Sequence, residues 1–371
     1  MDPNGPSNQE MPIHAQVAPP AAVEPLPDHL AGPTRSGGTG RAVMIVVMLG
    51  LMIVLALSIL LNMALLGTQS VSASSTELQE ELFSPDKYTS GDDKIAIISV
   101  EGTILSTSGY VKNQIDQAAR DESVKAIVLR VDSPGGSVSA SDYYYHHLSK
   151  LRTESKKPIV VSMGSMAASG GYYIAMAAGT TEDVLFAEPT CFTGSIGVMI
   201  PHYNAAGLFE KFGIEEDAVV SHRLKNMGSL GRRMTDEERA IFQELVDEGF
   251  GRFKEIIRDN RTEFQEDEAI LDELATGQIF TAGQAEESGL IDKIGFIEDA
   301  IERAIQLAGT KADETMVVRY KRLPSLASLL MGAQAQPRGF DLQQLLDLSA
   351  PRAYYMTSTI PALVRNQPYS N

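Results

Sequence analysis

Three stretches carry continuous apolar runs of strand length: "KIAIISV" (94–100), "KAIVLRV" (125–131) and "PIVVSMG" (158–164). Between them, residues 111–120 and 140–151 have a helical pattern. Strand alternating with helix predicts an α/β unit built on a mostly parallel sheet. Farther on, "TDEERAIFQELVDEGFGRFKEIIRDNR" (235–261) has the period of a long amphipathic helix. Thr235 stands at its N-cap and Glu238 three residues later, the spacing of a capping box. "FTAGQAEESGLIDKIGFIEDAIERAIQLAG" (280–309) is expected to form two short helices around a strand or turn. No internal repeat is visible.

The N-terminal part has different patterns. Residues 1–41 are rich in Pro, Gly, Ala and Ser and lack apolar periodicity. Such a stretch buries too little apolar surface to offset its ordering entropy, so a disordered tail is expected. Residues 42–67 hold no charged side chain and exceed the roughly 20 apolar residues that cross a bilayer. The apolar core of a secretory signal peptide is shorter, about 7–15 residues, and lies nearer the N-terminus. An uncut transmembrane helix is therefore expected. Arg35 and Arg41 precede it, and Glu77, Glu80, Glu81 and Asp86 follow before the first lysine, Lys87. Basic flanks stay cytoplasmic, which predicts a single pass through the cytoplasmic membrane with everything after residue 67 on the extracytoplasmic side. Residues 68–93 form a linker in this scheme, 94–308 the folded domain, and 309–371 an irregular C-terminal arm punctuated by Pro324, Pro337, Pro351, Pro361 and Pro368. The apolar clusters at 326–331 and 342–348 are too short for a second span. They are expected to dock on a neighbouring copy or in the substrate groove.

Composition removes some function classes. Acidic residues outnumber basic ones 48 to 31, for a net charge of −17, which argues against a general nucleic-acid binder. The single cysteine, Cys191, excludes an internal disulfide framework and is expected as a small buried residue in a strand.

Three small-residue motifs can carry chemistry. "VDSPGGS" (131–137) follows a strand and precedes a helix, and its glycines can aim backbone N–H groups at a developing oxyanion. "SMAASGGYYIA" (165–175) places Ser169 near the start of a helix, where free N–H groups favour the charge that forms after attack. Gly170 and Gly171 are expected to leave room there for a substrate backbone. "TGSIGV" (193–198) is a further tight turn, whose Ser195 can orient a neighbouring group. A nucleophilic serine needs a base. Among the six histidines His202, in "VMIPHYN", is the candidate for a Ser-His-Asp arrangement. The alternative is a lysine, from "SHRLKNMGSL" or "LFEKFG", made neutral by exclusion of water. Spacing leaves both open.

Taken in order, "RVDSPGGSVSASD", "VSMGSMAASGGYYIAMAA", "TGSIGV", "LKNMGS" and "FTAGQAEESGLIDKIG" resemble the motifs of the signal peptide peptidase A (SppA, protease IV) family, in its short single-domain, membrane-anchored form. The resemblance runs from about residue 94 to 307. It implies a ClpP/crotonase-like fold of repeated ββα units and a serine endopeptidase with a Ser-Lys dyad that cleaves remnant signal peptides or other small membrane-associated peptides. Carried over residue by residue, it makes Ser169 the nucleophile, Lys225 the general base and Ser195 the serine that orients the lysine. The amides of Gly136 and Gly170 become the oxyanion hole. It implies no metal or cofactor, and a homo-oligomer whose active sites are shared between protomers. Two departures stand out. "AAGTTEDVLFAEPT" is a few residues longer than the usual link, and "HRLK" replaces "GKYK" before the base. Two readings of another kind compete: a catalytically silent scaffold on the same fold, and an acyl-CoA-handling crotonase relative.

Overall fold

The protein is described here from a computed structural model, which describes residues 44–59, 78–83, 87–88, 90–107, 109–322 and 354–356. The chain divides into two units, 1–67 and 68–371. In the first, residues 44–59 form a helix (α1) whose apolar side chains are exposed. The rest of the expected membrane span, 42–43 and 60–67, and the N-terminal tail lie outside the described residues. Among the described residues no helix is long and apolar enough to cross a membrane.

In the second unit the elements run β1 (Leu78–Leu82), β2 (Asp93–Glu101), α2 (Tyr110–Arg120), β3 (Val124–Ser133), β4 (Gly135–Ser137), α3 (Val138–Glu154), β5 (Ile159–Ala168) and α4 (Gly170–Ala175). Then come β6 (Leu185–Ala187), β7 (Phe192–Gly194), α5 (Ala206–Lys211), α6 (Asp236–Asn260), α7 (Glu268–Leu274), β8 (Ile279–Thr281), α8 (Ala282–Glu287), β9 (Lys293–Ile294), α9 (Ile297–Ala308), β10 (Thr315–Arg322) and β11 (Tyr354–Met356). The main sheet has the order β1-β10-β2-β3-β5-β6-β9, with β7 paired to β5 and β8 to β7. Only the β1–β10 and β7–β8 pairs are antiparallel in it. The expected α/β architecture with a mostly parallel sheet is therefore present. Its central strands read as unbroken apolar runs because both faces are covered: Ile95, Ile98, Ile127, Leu129, Val160 and Val161 are fully buried.

The sheet reaches beyond residues 94–308. β1, within the stretch expected as linker, and β10, within the stretch expected as an irregular arm, both belong to it. β10 lies between β1 and β2, with Val317, Val318 and Tyr320 turned into the core. The prolines that suggested an irregular arm all lie past the end of this strand. The clusters at 326–331 and 342–348 lie outside the described residues.

The capping box of α6 forms as its spacing predicts. The Glu238 amide donates to Thr235 Oγ1 at 3.2 Å, and the Thr235 amide donates to Glu238 Oε2 at 2.9 Å. Arg232 Nη1 donates to the same carboxylate at 3.0 Å. This guanidinium contact outweighs desolvation and holds the buried Glu238 carboxyl at about 2, below its ordinary 4.5. The folded value is depressed. The stabilisation is therefore complete above the unfolded pKa and is lost as pH falls through about 2. Glu238→Gln should lower the melting temperature at pH 7, and the gap from the parent should close between pH 4.5 and 2. A gap that stays constant over that range would refute the assignment.

Candidate active site

Ser169 leaves the end of β5 and caps α4 with φ 55° and ψ −114°. A non-glycine residue in that region is strained by roughly 1–3 kcal/mol and is held there by its surroundings. Here the holding contacts are backbone ones. The Ser169 amide donates to the Gly194 carbonyl at 2.7 Å, and the Ser169 carbonyl accepts from the Tyr173 amide at 2.8 Å. The sharp turn between strand and helix sets the hydroxyl apart from both ladders. Ser169 is fully buried, and its Oγ has no hydrogen-bond partner among the described residues. A buried hydroxyl normally finds a partner, because leaving it alone costs about 1–3 kcal/mol.

The two glycine turns stand against each other. A Cβ added at Gly170 would lie 2.5 Å from Ser141 Oγ, 3.1 Å from the Gly136 nitrogen and 3.2 Å from Gly135 Cα. One at Gly171 would lie 3.0 Å from the Ser133 carbonyl oxygen. The glycine pair is thus required by protein packing: α4 starts in contact with the 133–136 turn. That differs from the expected role of leaving room for a substrate backbone. This close approach is what sets the Gly136 and Gly170 amides beside one another. Ser133 braces the turn from inside, its hydroxyl donating to the Gly102 carbonyl at 2.6 Å and accepting from the Gly135 amide at 3.1 Å. The Gly135 carbonyl and Ser137 amide are both engaged by Ile104, at 2.9 and 2.8 Å. By strand alternation the Gly136 N–H points the other way.

Gly136→Ala is expected to fail structurally. Its Cβ would come 1.9 Å from the Ile104 carbonyl oxygen, a backbone atom that cannot swing aside. Chemical denaturation should show a loss of about 2–3 kcal/mol. An unchanged midpoint would contradict the packing described.

Ser195 follows β7 as Ser169 follows β5. The two strands are parallel, with Ala168 opposite Gly194. Ser195 is buried and, like Ser169, has a positive φ, 50°. Its amide donates to the Gln278 carbonyl at 2.7 Å. The structure therefore brings Ser169, Ser195, Gly136 and Gly170 together. It does not bring in the candidate bases. Lys225 is exposed on a single 3-10 turn, Arg223–Asn226, and no hydrogen bond joins it to Ser169. His202 Nε2 lies 3.3 Å from the Ser229 carbonyl instead of at the serine. Cys191 is buried just before β7, and burial pushes its thiol up to about 12, which leaves it inert.

Sequence reasoning alone missed an aromatic cluster beside this centre. Tyr173 stacks with Tyr355 at 5.0 Å between ring centroids, and Phe253 lies 4.7 Å from the same Tyr355 ring. Tyr173 donates its hydroxyl to Asp142 Oδ1 at 2.6 Å. Burial, then that carboxylate, push the Tyr173 phenol above its ordinary value, so it stays protonated. The "GGYYIA" motif contains Tyr173, but nothing local says which aromatic partners it meets.

Residues 152–311 match the sequence pattern of peptidase family S49. A candidate signal peptide peptidase SppA of Enterococcus faecium is 32% identical over 272 residues, covering 70% of this chain and 75% of the relative. A candidate protease of Synechocystis is 34% identical over 248 residues, 67% of this chain and 86% of the relative. Protease 4 of Haemophilus influenzae is 34% identical over 229 residues, 60% of this chain. The matched stretch covers 36% of the length of that enzyme, and 38% of protease 4 from Salmonella typhi.

Proposed function

This chain belongs to peptidase family S49, and we propose that it is a serine endopeptidase working through a Ser169–Lys225 dyad completed between copies of the chain. The observation that carries the reading is Ser169 itself: its backbone is strained, and its buried hydroxyl has no partner among the described residues, at the turn where Gly170 meets Gly136. A group kept in that state at such cost suits a nucleophile waiting for a base and a carbonyl.

The reaction follows from the residues. Neutral Lys225, brought by a neighbouring protomer and oriented by Ser195, takes the proton from Ser169 Oγ. The alkoxide attacks the scissile carbonyl. The Gly136 and Gly170 amides stabilise the oxyanion, an effect worth roughly 2.7–4 kcal/mol per donor in comparable sites. Lys225 then protonates the leaving amine, and water releases the acyl-enzyme. Exposure of Lys225 within one chain accords with a base that is covered only on assembly.

The substrate class we infer is short peptides released at the membrane, above all remnant signal peptides. The name of the Enterococcus faecium relative, a signal peptide peptidase, supports it. Residues 42–67 would anchor the chain in the cytoplasmic membrane, and the Arg35/Arg41 flank would place the peptidase unit outside. The parallel-rich sheet agrees with a ClpP/crotonase-like fold. Mass spectrometry of peptide products from the purified chain, with and without Ser169→Ala, tests the reading. Identical product ladders from both proteins would sink it.

A further inference from the structure

The turn that carries Lys225 lies in a stretch without a core. No residue from 197 to 237 is buried. Apolar packing therefore does not set the position of the 3-10 turn Arg223–Asn226, which has no buried residue of its own. Polar ties have to do so, and they leave the turn at both ends. Arg223 Nη2 donates to Glu237 Oε1 at 2.6 Å. Asn226 Nδ2 donates to Glu216 Oε1 at 2.7 Å. Arg232 Nη2 donates to the Asn226 carbonyl at 2.7 Å.

These ties are not equivalent. Those of Arg223 and of the Asn226 side chain end on exposed carboxylates, Glu237 and Glu216, and exposed contacts hold little against side-chain entropy and salt. The Arg232 tie ends on a buried group. Its guanidinium takes both oxygens of Glu238, Nη1 donating to Oε2 at 3.0 Å and Nη2 to Oε1. Glu238 is only 2% exposed. It stands in the first turn of α6, and the same helix carries Phe253, Ile256 and Ile257 into the core. A continuous path thus leads from the core to the base: α6, Glu238, the Arg232 guanidinium, the Asn226 carbonyl and the residue before it, Lys225. The residue type matters. The two N–H bonds of Nη2 serve Glu238 and Asn226 at once, within one rigid plane. A lysine ammonium is a point charge without that fork.

We propose that Arg232 is a positioning residue: clamped by Glu238, its guanidinium fixes the Arg223–Asn226 turn and through it the reach of Lys225 toward the Ser169 it serves. The part of Lys225 in the reaction rests on the function proposed above. The clamp is read from Arg232, Asn226 and Glu238. Arg232 acts through the turn and exchanges no proton, since a guanidinium stays charged in proteins. Misplacing a reacting group by about 1 Å costs on the order of 10²-fold in rate, so loosening the clamp reaches the chemistry even where the fold is intact.

The test uses the full chain in detergent and two variants. Arg232→Lys keeps a cation for Glu238 and loses the fork. Arg232→Met combined with Glu238→Gln removes both charges together, so that no buried carboxylate is left unpaired, and glutamine still suits the capping box. Melting curves check that both fold. The probe is a rhodamine fluorophosphonate, whose reaction with Ser169 needs the base. Its maximal labelling rate should fall by a factor of about 10–100 in both variants, while the concentration giving half that rate stays within about threefold of the parent. Amide hydrogen exchange should rise by about tenfold or more at 222–228 and stay unchanged in the central strands. A maximal rate within about threefold of the parent, or exchange at 222–228 no faster than in the parent, overturns the proposal. Lys225→Ala is run beside them. If it is labelled at the parent's rate, the dyad itself falls. If it is slow while Arg232→Lys is labelled normally, the clamp alone falls and the dyad stands.

Discussion

Ser169→Ala is expected to lower peptide turnover by a factor on the order of 10⁴–10⁶, the range in which serine peptidases respond to loss of the nucleophile. Labelling by a fluorophosphonate probe should disappear with it. The fold should survive, because the contacts that hold residue 169 are the backbone bonds to Gly194 and Tyr173. Ser169→Gly separates strain from chemistry. Glycine relieves the positive φ at a saving of roughly 1–3 kcal/mol, and gives back about 0.4–1 kcal/mol through the greater freedom of the unfolded chain. It should be as inactive as the alanine variant and more stable by about 1 kcal/mol. Turnover within tenfold of the parent in either variant would remove Ser169 from the reaction. A less stable glycine variant would show that the turn is not strained.

The second large effect concerns the base. Lys225→Ala is expected to lose several orders of magnitude in turnover. Lys225→Arg should be as poor although it keeps the charge, since arginine does not give up its proton in proteins. His202→Ala should stay within a few-fold of the parent, because its ring meets the Ser229 carbonyl and not the serine. If the dyad is completed between protomers, mixing inactive Ser169→Ala with inactive Lys225→Ala under conditions that let subunits exchange should restore part of the activity. A mixed assembly contains some sites with both groups intact. No recovery despite verified exchange would place both groups in one protomer. An inactive His202→Ala with an active Lys225→Ala would replace the dyad by a Ser-His site.

Much of the frame was legible from neighbours in sequence. The apolar runs at 94–100, 125–131 and 158–164 all lie in central strands, and Thr235 with Glu238 capped the helix that their spacing announced. β1 and β10 were not legible as parts of the sheet. β1 is short and polar, "LQEEL", and sits at an edge of the sheet, where none of its residues is fully buried. β10 precedes a proline-rich stretch whose composition masks it. The motifs around Ser133, Ser169 and Ser195 were visible as small-residue turns, but the reason for Gly170–Gly171 was not. A glycine pair in sequence says that space is scarce, and only packing says what fills it: here Ser141, Ser133 and the Gly136 amide.

The sequence by itself determined the three central strands, the long helix α6, the position of the glycine turns and the residue types able to do acyl chemistry. Those properties depend on side-chain periodicity and on the conformations open to glycine and proline, which operate over a few residues. Tertiary structure decided what those groups face. The positive φ of Ser169, the abutment of Gly136 on Gly170, the exposed position of Lys225 and the seating of Tyr355 between Tyr173 and Phe253 join segments distant along the chain. Such contacts arise when apolar surface is buried and backbone pairs are made in three dimensions, and no local pattern encodes which distant strand will arrive.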